Sequence, residues 1–376
     1  MHIGRAFWHR IAAVTGLCLV AASCSAVPGP TPQEQVDQIV AFVEAARGHD
    51  FVTEPTVQFL DGATFEAEVL ASLAAAEPDV AEDDVLFTAL DWITPAQDLV
   101  TEYRKAFGGG VVGFYDPVSE ALKVRGTSLT PYRREVIAHE LTHALDDQIH
   151  DLDDITATGL VDEEYLGALV AIEGSAEKVR QRYYNAMSPL EQAASINEQL
   201  TAGNDPQLLT VPIALLTLTS VPYVRGPAFS QELINALGNP AGVDESLTRY
   251  PDNTEQAFSS TKYLADEPAT VVPTPPTDGS APLVRSGQFG PLPLSLVLRE
   301  GLVLDALDPA TAGWEGGTYA TWRDGTASCV RIDVDLDSPA AAGTLQSALG
   351  AWASRHAGTT IESPAADQLR LTRCDG

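Results

Sequence analysis

The chain is short of the residues that hold metals and short of positive charge. Of 376 residues, 7 are histidine, 4 cysteine and 2 methionine. Lysine and arginine number 22 against 52 acids, a formal charge of −30. A surface this acidic repels phosphate backbones, which argues against nucleic acid as a partner. No Cys-x-x-Cys pair occurs, which argues against metal binding by Cys329 and Cys374. Apolar runs are short as well. Ile11 to Ala22 and Leu208 to Val221, the latter holding Pro212, both fall below the roughly 20 residues of a membrane-spanning helix. No internal repeat is visible. Hydrophobic residues still make up 45%, enough for one large domain with an accessory unit, or for two domains.

The first 23 residues read as an export signal. Arg5 and Arg10 give a positive start, a short apolar stretch follows, and small residues Ala21-Ala22-Ser23 precede Cys24. This arrangement resembles a bacterial lipobox, in which the cysteine is lipidated and becomes the new N-terminus. The alternative is an ordinary cleaved signal with an incidental cysteine. The lipidated reading places the protein on the outer face of the cytoplasmic membrane, anchored through Cys24. Cys329 and Cys374 remain, and two cysteines in an exported chain most simply form one disulfide.

The expected fold class is α+β. Residues 24–34 read as a proline-rich tether. Residues 35–266 read as the main domain: mostly helical, with a small hairpin. Its expected elements are helices over 33–46 and 65–75, a strand over 57–60, and a mostly helical stretch over 85–107 broken at Thr94-Pro95. A β-hairpin follows over 111–126, turning at Asp116-Pro117. Thr130-Pro131 is a helix start, a hydroxyl cap before a proline. A second long helix spans about 162–185, and 208–221 reads as a buried helix. Residues 267–293 are proline-rich and read as a connection. Residues 294–376 read as a C-terminal α+β unit: helices over 294–307 and 340–355, strands over 317–322, 329–334 and 369–374. A Cys329–Cys374 bridge pins the last of these strands.

The chemistry concentrates in Ile137 to His150, "IAHELTHALDDQIH". On a helix, His139 and His143 share a face one turn apart and can hold one metal ion. Glu140 lies about 100° from His139 and about 60° from His143, within reach of a water beside that metal. Ile137, Leu141 and Leu145 bury the other side. His-Glu-x-x-His on a helix is the pattern of zinc hydrolases, with the glutamate as general base. Catalytic zinc takes three protein ligands and a water. His150 is two turns away, about 10 Å, too far to be the third. A carboxylate on the next helix fits better. Glu173 in "ALVAIEGSAE" follows apolar residues and precedes Gly174, Ser175 and Ala176, which let another helix come close. Glu177, one turn on, either orients a histidine or replaces Glu173 as ligand. Asp147, one turn after His143, is a further orienting candidate. Tyr223 and Tyr263 are candidates for a second oxyanion donor.

These residues resemble the gluzincin metallopeptidases, whose thermolysin-like members also read HELTHA with an aspartate one turn after the second histidine. The chain is more similar to a group of bacterial exported metallopeptidase-like proteins that carry a GFYDP hairpin, HELTHALQDQ, an EGDA-like helix and an STEQ…KYL stretch. The matching segments are Gly113 to Pro117, His139 to Gln148, Glu173 to Ala176, and Thr254 to Gln256 with Lys262 to Leu264. The likeness spans roughly residues 50–356. Three positions depart from it: Asp146 replaces glutamine, Ser175 replaces aspartate, and Ser259 replaces histidine. The resemblance implies a zincin-like catalytic unit with one Zn2+ per chain, acting on peptide or protein substrates. The rival expectation is a non-catalytic binding lipoprotein that keeps the zinc for structure.

Overall fold

The computed structural model describes residues 30–108, 111–152, 159–203 and 206–375. The expected signal and Cys24 lie outside the described residues. Thr31 starts the first helix, α1 (Pro32–Arg47), by a capping box. Its side chain accepts from the Glu34 N–H, and the Glu34 carboxylate accepts from the Thr31 N–H at 2.7 Å. The helix therefore opens inside the segment expected to be tether.

The chain continues through β1 (Thr56–Leu60), α2 (Gly62–Leu73), α3 (Glu77–Ala89) and α4 (Leu99–Gly108). The helical stretch expected from residue 85 begins earlier, because Glu77, Pro78 and Asp79 suit a first turn. The hairpin is β2 (Gly113–Asp116) and β3 (Ala121–Arg125). Then come α5 (Pro131–His150), α6 (Glu163–Ala186), α7 (Pro189–Gly203), α8 (Ile213–Leu237), α9 (Ala241–Thr248), α10 (Thr254–Phe258) and α11 (Ser260–Leu264). The C-terminal part holds β4 (Leu283–Gln288), α12 (Pro291–Arg299), β5 (Trp314–Asp324), β6 (Ala327–Leu336), α13 (Pro339–Ala353), β7 (Thr359–Glu362) and β8 (Gln368–Cys374). The class is α+β. Among the described residues, no helix is long and apolar enough to cross a membrane.

The first sheet runs β1-β3-β2, with β1 parallel and β2 antiparallel to β3. Strand β2 is thus an edge. One apolar cluster joins α1 (Val36, Ile39, Val43), β3 (Leu122, Val124) and the back of α5 (Ile137, Leu141, Leu145). Each such fully buried side chain contributes about 1.5–3 kcal/mol. This packing fixes α5 under the hairpin, with its histidine face turned the other way.

The C-terminal sheet runs β4-β5-β6-β8-β7. Strand β4 belongs to it, so the proline-rich segment is a connection only in its first half. Residues Cys329 and Cys374 face each other across β6 and β8 and are disulfide-bonded. Helix α12 stops at Arg299, short of the expected 307, because Glu300 takes a left-handed turn ahead of Gly301. The C-terminal part shares one core with the first. Leu86 and Phe87 of α3, Leu215 and Phe229 of α8, and Trp314 and Trp352 lie in a single buried cluster. Asp83, fully buried on α3, pairs with Arg285 of β4 at 3.1 Å.

Candidate metal centre

Helix α5 is started by the Thr130 side chain, which accepts from the Arg133 N–H, with Pro131 next. Helix α6 is capped by Asp162, whose side chain accepts from the Tyr165 N–H. The two pack so that Glu173 lies over the histidines. Helix α8 crosses α6 where Gly174 meets Gly226. A Cβ on Gly174 would stand 2.5 Å from the Gly226 carbonyl, so neither position admits a side chain. That close crossing brings Tyr223 of α8 over the site. Pro222 and Pro227 lie inside α8 and deprive the carbonyls of Leu218 and Tyr223 of their usual i+4 donor.

His139 Nε2 is 3.0 Å from His143 Nε2 and 3.1 Å from Glu173 Oε2. His143 Nε2 is 3.4 Å from the same oxygen. All three ligand atoms lie within 4.8 Å of one another. A tetrahedral ion bound at about 2.0–2.1 Å has ligand–ligand edges of about 3.3 Å. The observed triangle is close to one face of such a tetrahedron. Glu173 Oε2 is buried and accepts no hydrogen bond, although two imidazole nitrogens face it. An orphaned carboxylate oxygen aimed at two nitrogens fits a shared cation.

Charge supports the same conclusion. Burial opposes a charged His139, but the Glu173 and Glu177 carboxylates outweigh it and push its pKa up to about 10. Burial likewise opposes ionised Glu173, yet His143 and His139 hold it below the usual carboxylate range. Burial raises Glu140 above its ordinary value, against the pull of both histidines. The group therefore favours a positive charge shared at its centre, whether proton or metal.

Glu140 is fixed from the sheet side. Its Oε2 accepts the Tyr115 N–H of β2 at 2.9 Å. Glu177 sits behind His139, with Oε2 3.6 Å from Nδ1. It lies on the Nδ1 side of the ring, outside the triangle of His139, His143 and Glu173. Arg180 grips Glu177 through two nitrogens and reaches Glu135 at 2.7 Å, and Ser195 of α7 donates to Glu135. Tyr223 stacks on His139, ring centroids 6.0 Å apart. Burial of its hydroxyl and the nearby Glu173 and Glu140 raise its pKa well above the ordinary value.

Two expectations need correction. Asp147 does not orient His143: its oxygens accept from the Leu152 N–H and the Tyr115 hydroxyl, both at 2.9 Å. It closes the end of α5 and steadies Tyr115. Tyr263 is fully buried, and its hydroxyl donates to the carbonyls of Arg249 and Glu245. It is a packing residue against Phe229, not an oxyanion donor. Arg180, Glu135, Ser195 and Tyr115 were not singled out by sequence. Two carried a signal: Arg180 lies one turn beyond Glu177, and Tyr115 lies in the Gly113 to Pro117 segment.

Comparison with family models, curated proteins and solved structures returns no match to this chain.

Proposed function

We propose that the protein is an exported, lipid-anchored zinc metallopeptidase. The observation that carries this reading is the triangle of His139, His143 and Glu173 with Glu140 beside it, backed by a strand edge. His139, His143 and Glu173 would hold the ion, and Glu177 would set the His139 ring from behind. Zinc bound there supplies a Lewis acid that polarises the scissile carbonyl and acidifies a water. Glu140 takes the proton of the attacking water and returns it to the leaving amine. Its raised pKa suits a group that must both accept and give a proton. Tyr223 donates its hydroxyl hydrogen to the developing oxyanion. The open edge of β2 pairs with an extended peptide through backbone hydrogen bonds. The Cys329–Cys374 disulfide supports the export part of this reading, since it needs an oxidising compartment.

The test is Glu140→Gln. A general base contributes about 100- to 10,000-fold to rate. Zinc-loaded wild type should cleave an unstructured protein such as casein, and a chelator should stop it. The variant should keep its zinc and lose the cleavage. Bound zinc without chelator-sensitive cleavage across a broad peptide library would replace this reading with the binding-lipoprotein one.

A further inference from the structure

We infer that the apolar cavity on the hairpin side of the metal centre selects a large apolar side chain immediately before the scissile bond. This rests on the peptidase reading above and adds a direction and a specificity to it.

Two cavities, of about 330 and 350 Å³, flank the site. Both are lined by Val111, Gly113, His139, Glu140 and Tyr223, so they meet at the reacting groups. Together they form one cleft with two lobes. The first lobe is walled by Val69 and Leu73 of α2, Phe107 of α4, and Phe114 and Pro117 of the hairpin. Apart from Glu140 and Glu173 at the metal centre, its one acid is Asp116, paired with Lys123 at 2.9 Å. The second lobe has Val112, Tyr132, Val136, Glu177, Arg180 and Gln199 instead. The wall of the first lobe away from the metal centre therefore rewards apolar burial. In the other lobe, Arg180 and Glu177 are engaged with each other and Gln199 donates to Ser195.

The strand fixes which lobe comes first. The Arg125 N–H donates to the Val112 carbonyl at 2.8 Å, so the Val112–Arg125 pair is hydrogen-bonded. By the antiparallel alternation, residues 113 and 115 turn their backbone groups toward the open edge. Tyr115 confirms this by giving its N–H to Glu140. An added strand is most stable antiparallel to β2. It then enters beside Pro117 and leaves beside Val111. The half preceding the cut lies along the apolar lobe, and the half following it lies along the lobe of Arg180 and Gln199. One missing methylene in such a pocket changes selection by about 10- to 200-fold.

The experiment maps cut sites. Mature, zinc-loaded protein is incubated with a library of denatured-proteome peptides, and the products are sequenced by mass spectrometry. Leucine, isoleucine, phenylalanine and methionine should be enriched before the cut by roughly tenfold or more over alanine and aspartate. The position after the cut should show no such enrichment. Leu73→Asp, with zinc content and circular dichroism unchanged, should lose the apolar preference and favour lysine or arginine there. If that variant does not fold, Phe107→Ala widens the lobe and should shift selection toward tryptophan. Apolar enrichment after the cut would overturn the strand direction. A flat profile before the cut, or lobe variants that cut like wild type, would overturn the lobe. Absence of chelator-sensitive cleavage would remove the peptidase reading and this inference with it.

Discussion

The Ser175 hydroxyl donates to Asp146 Oδ2 at 2.5 Å, tying α6 to α5 beside the metal centre. These are two of the three positions at which the chain departs from the motifs it resembles. Both residues are buried, and the carboxylate belongs to α5. There it meets Arg47 of α1, whose guanidinium lies 2.7 Å from Asp146 and is 2% exposed. The contact is thus buried and joins α1, α5 and α6 beside His139, Glu140 and His143.

Breaking that contact should be costly. Asp146→Asn keeps the shape but leaves Arg47 with Asp244 alone, at 3.0 Å. Losing one partner of a buried ion pair costs about 3 kcal/mol or more. Urea denaturation of the zinc-free protein should read this loss. The double variant Asp146→Gln with Ser175→Asp should be more stable than the sum of its single changes, since the two positions touch. Strict additivity of the singles would show that the two positions are not coupled.

Metal binding should follow the geometry around the imidazoles. Wild type should hold about one zinc per chain by inductively coupled plasma mass spectrometry. His143→Ala should hold almost none. Glu173→Gln should weaken binding far more than Glu177→Gln, for which an orienting group predicts about 10- to 100-fold. The opposite order would make Glu177 the ligand.

The legible parts of this site are those written within one or two turns of helix. His139, Glu140 and His143 lie in one turn, and the capping pair Thr130-Pro131 announces their helix. Glu173 was legible because small residues follow it, and Gly174 does meet Gly226 of α8. The support behind Glu177 was not legible. Glu135 lies 45 residues from Arg180 and 60 from Ser195, and only tertiary packing joins them. Tyr223 and Tyr263 looked alike in sequence because either could pack or donate. The crossing of α8 over α6 separates them. In the C-terminal part, alternation revealed the long strands. It missed β7, four residues long with no buried member, and it placed β4 in a connection because prolines surround it.

Anchoring is tested at Cys24. Cys24→Ser removes the thiol that the lipobox reading requires. The protein should then leave the membrane fraction for the medium, or persist in unprocessed form. Intact-mass measurement of wild type should show a diacylglyceryl-sized addition on a chain beginning at residue 24. Membrane association unchanged by the substitution would sink the lipobox.

The last prediction concerns pH and a carboxyl group remote from the metal ligands. Glu163, 1% exposed at the start of α6, accepts from the Thr254 N–H and hydroxyl at 2.7 Å each. Burial nonetheless pushes its pKa up from 4.5 to about 7, with the two Thr254 hydrogen bonds and one from the Gly290 backbone opposing the rise. The folded chain therefore keeps this proton after the unfolded chain has released it. Its contribution to stability is fully present below about pH 4.5. It is lost as pH rises, and the loss is complete once pH passes about 7. The shift corresponds to a few kcal/mol, on the order of 3, across that window. Glu163→Gln keeps an oxygen for Thr254 and removes the titration. Urea midpoints should therefore fall from pH 4.5 to pH 7 more steeply in wild type than in the variant, and run parallel above it. The comparison isolates Glu163 because Asp83, raised to about 7 by burial, titrates alike in both proteins. Identical pH slopes would show that Glu163 ionises in the fold as readily as in the unfolded chain.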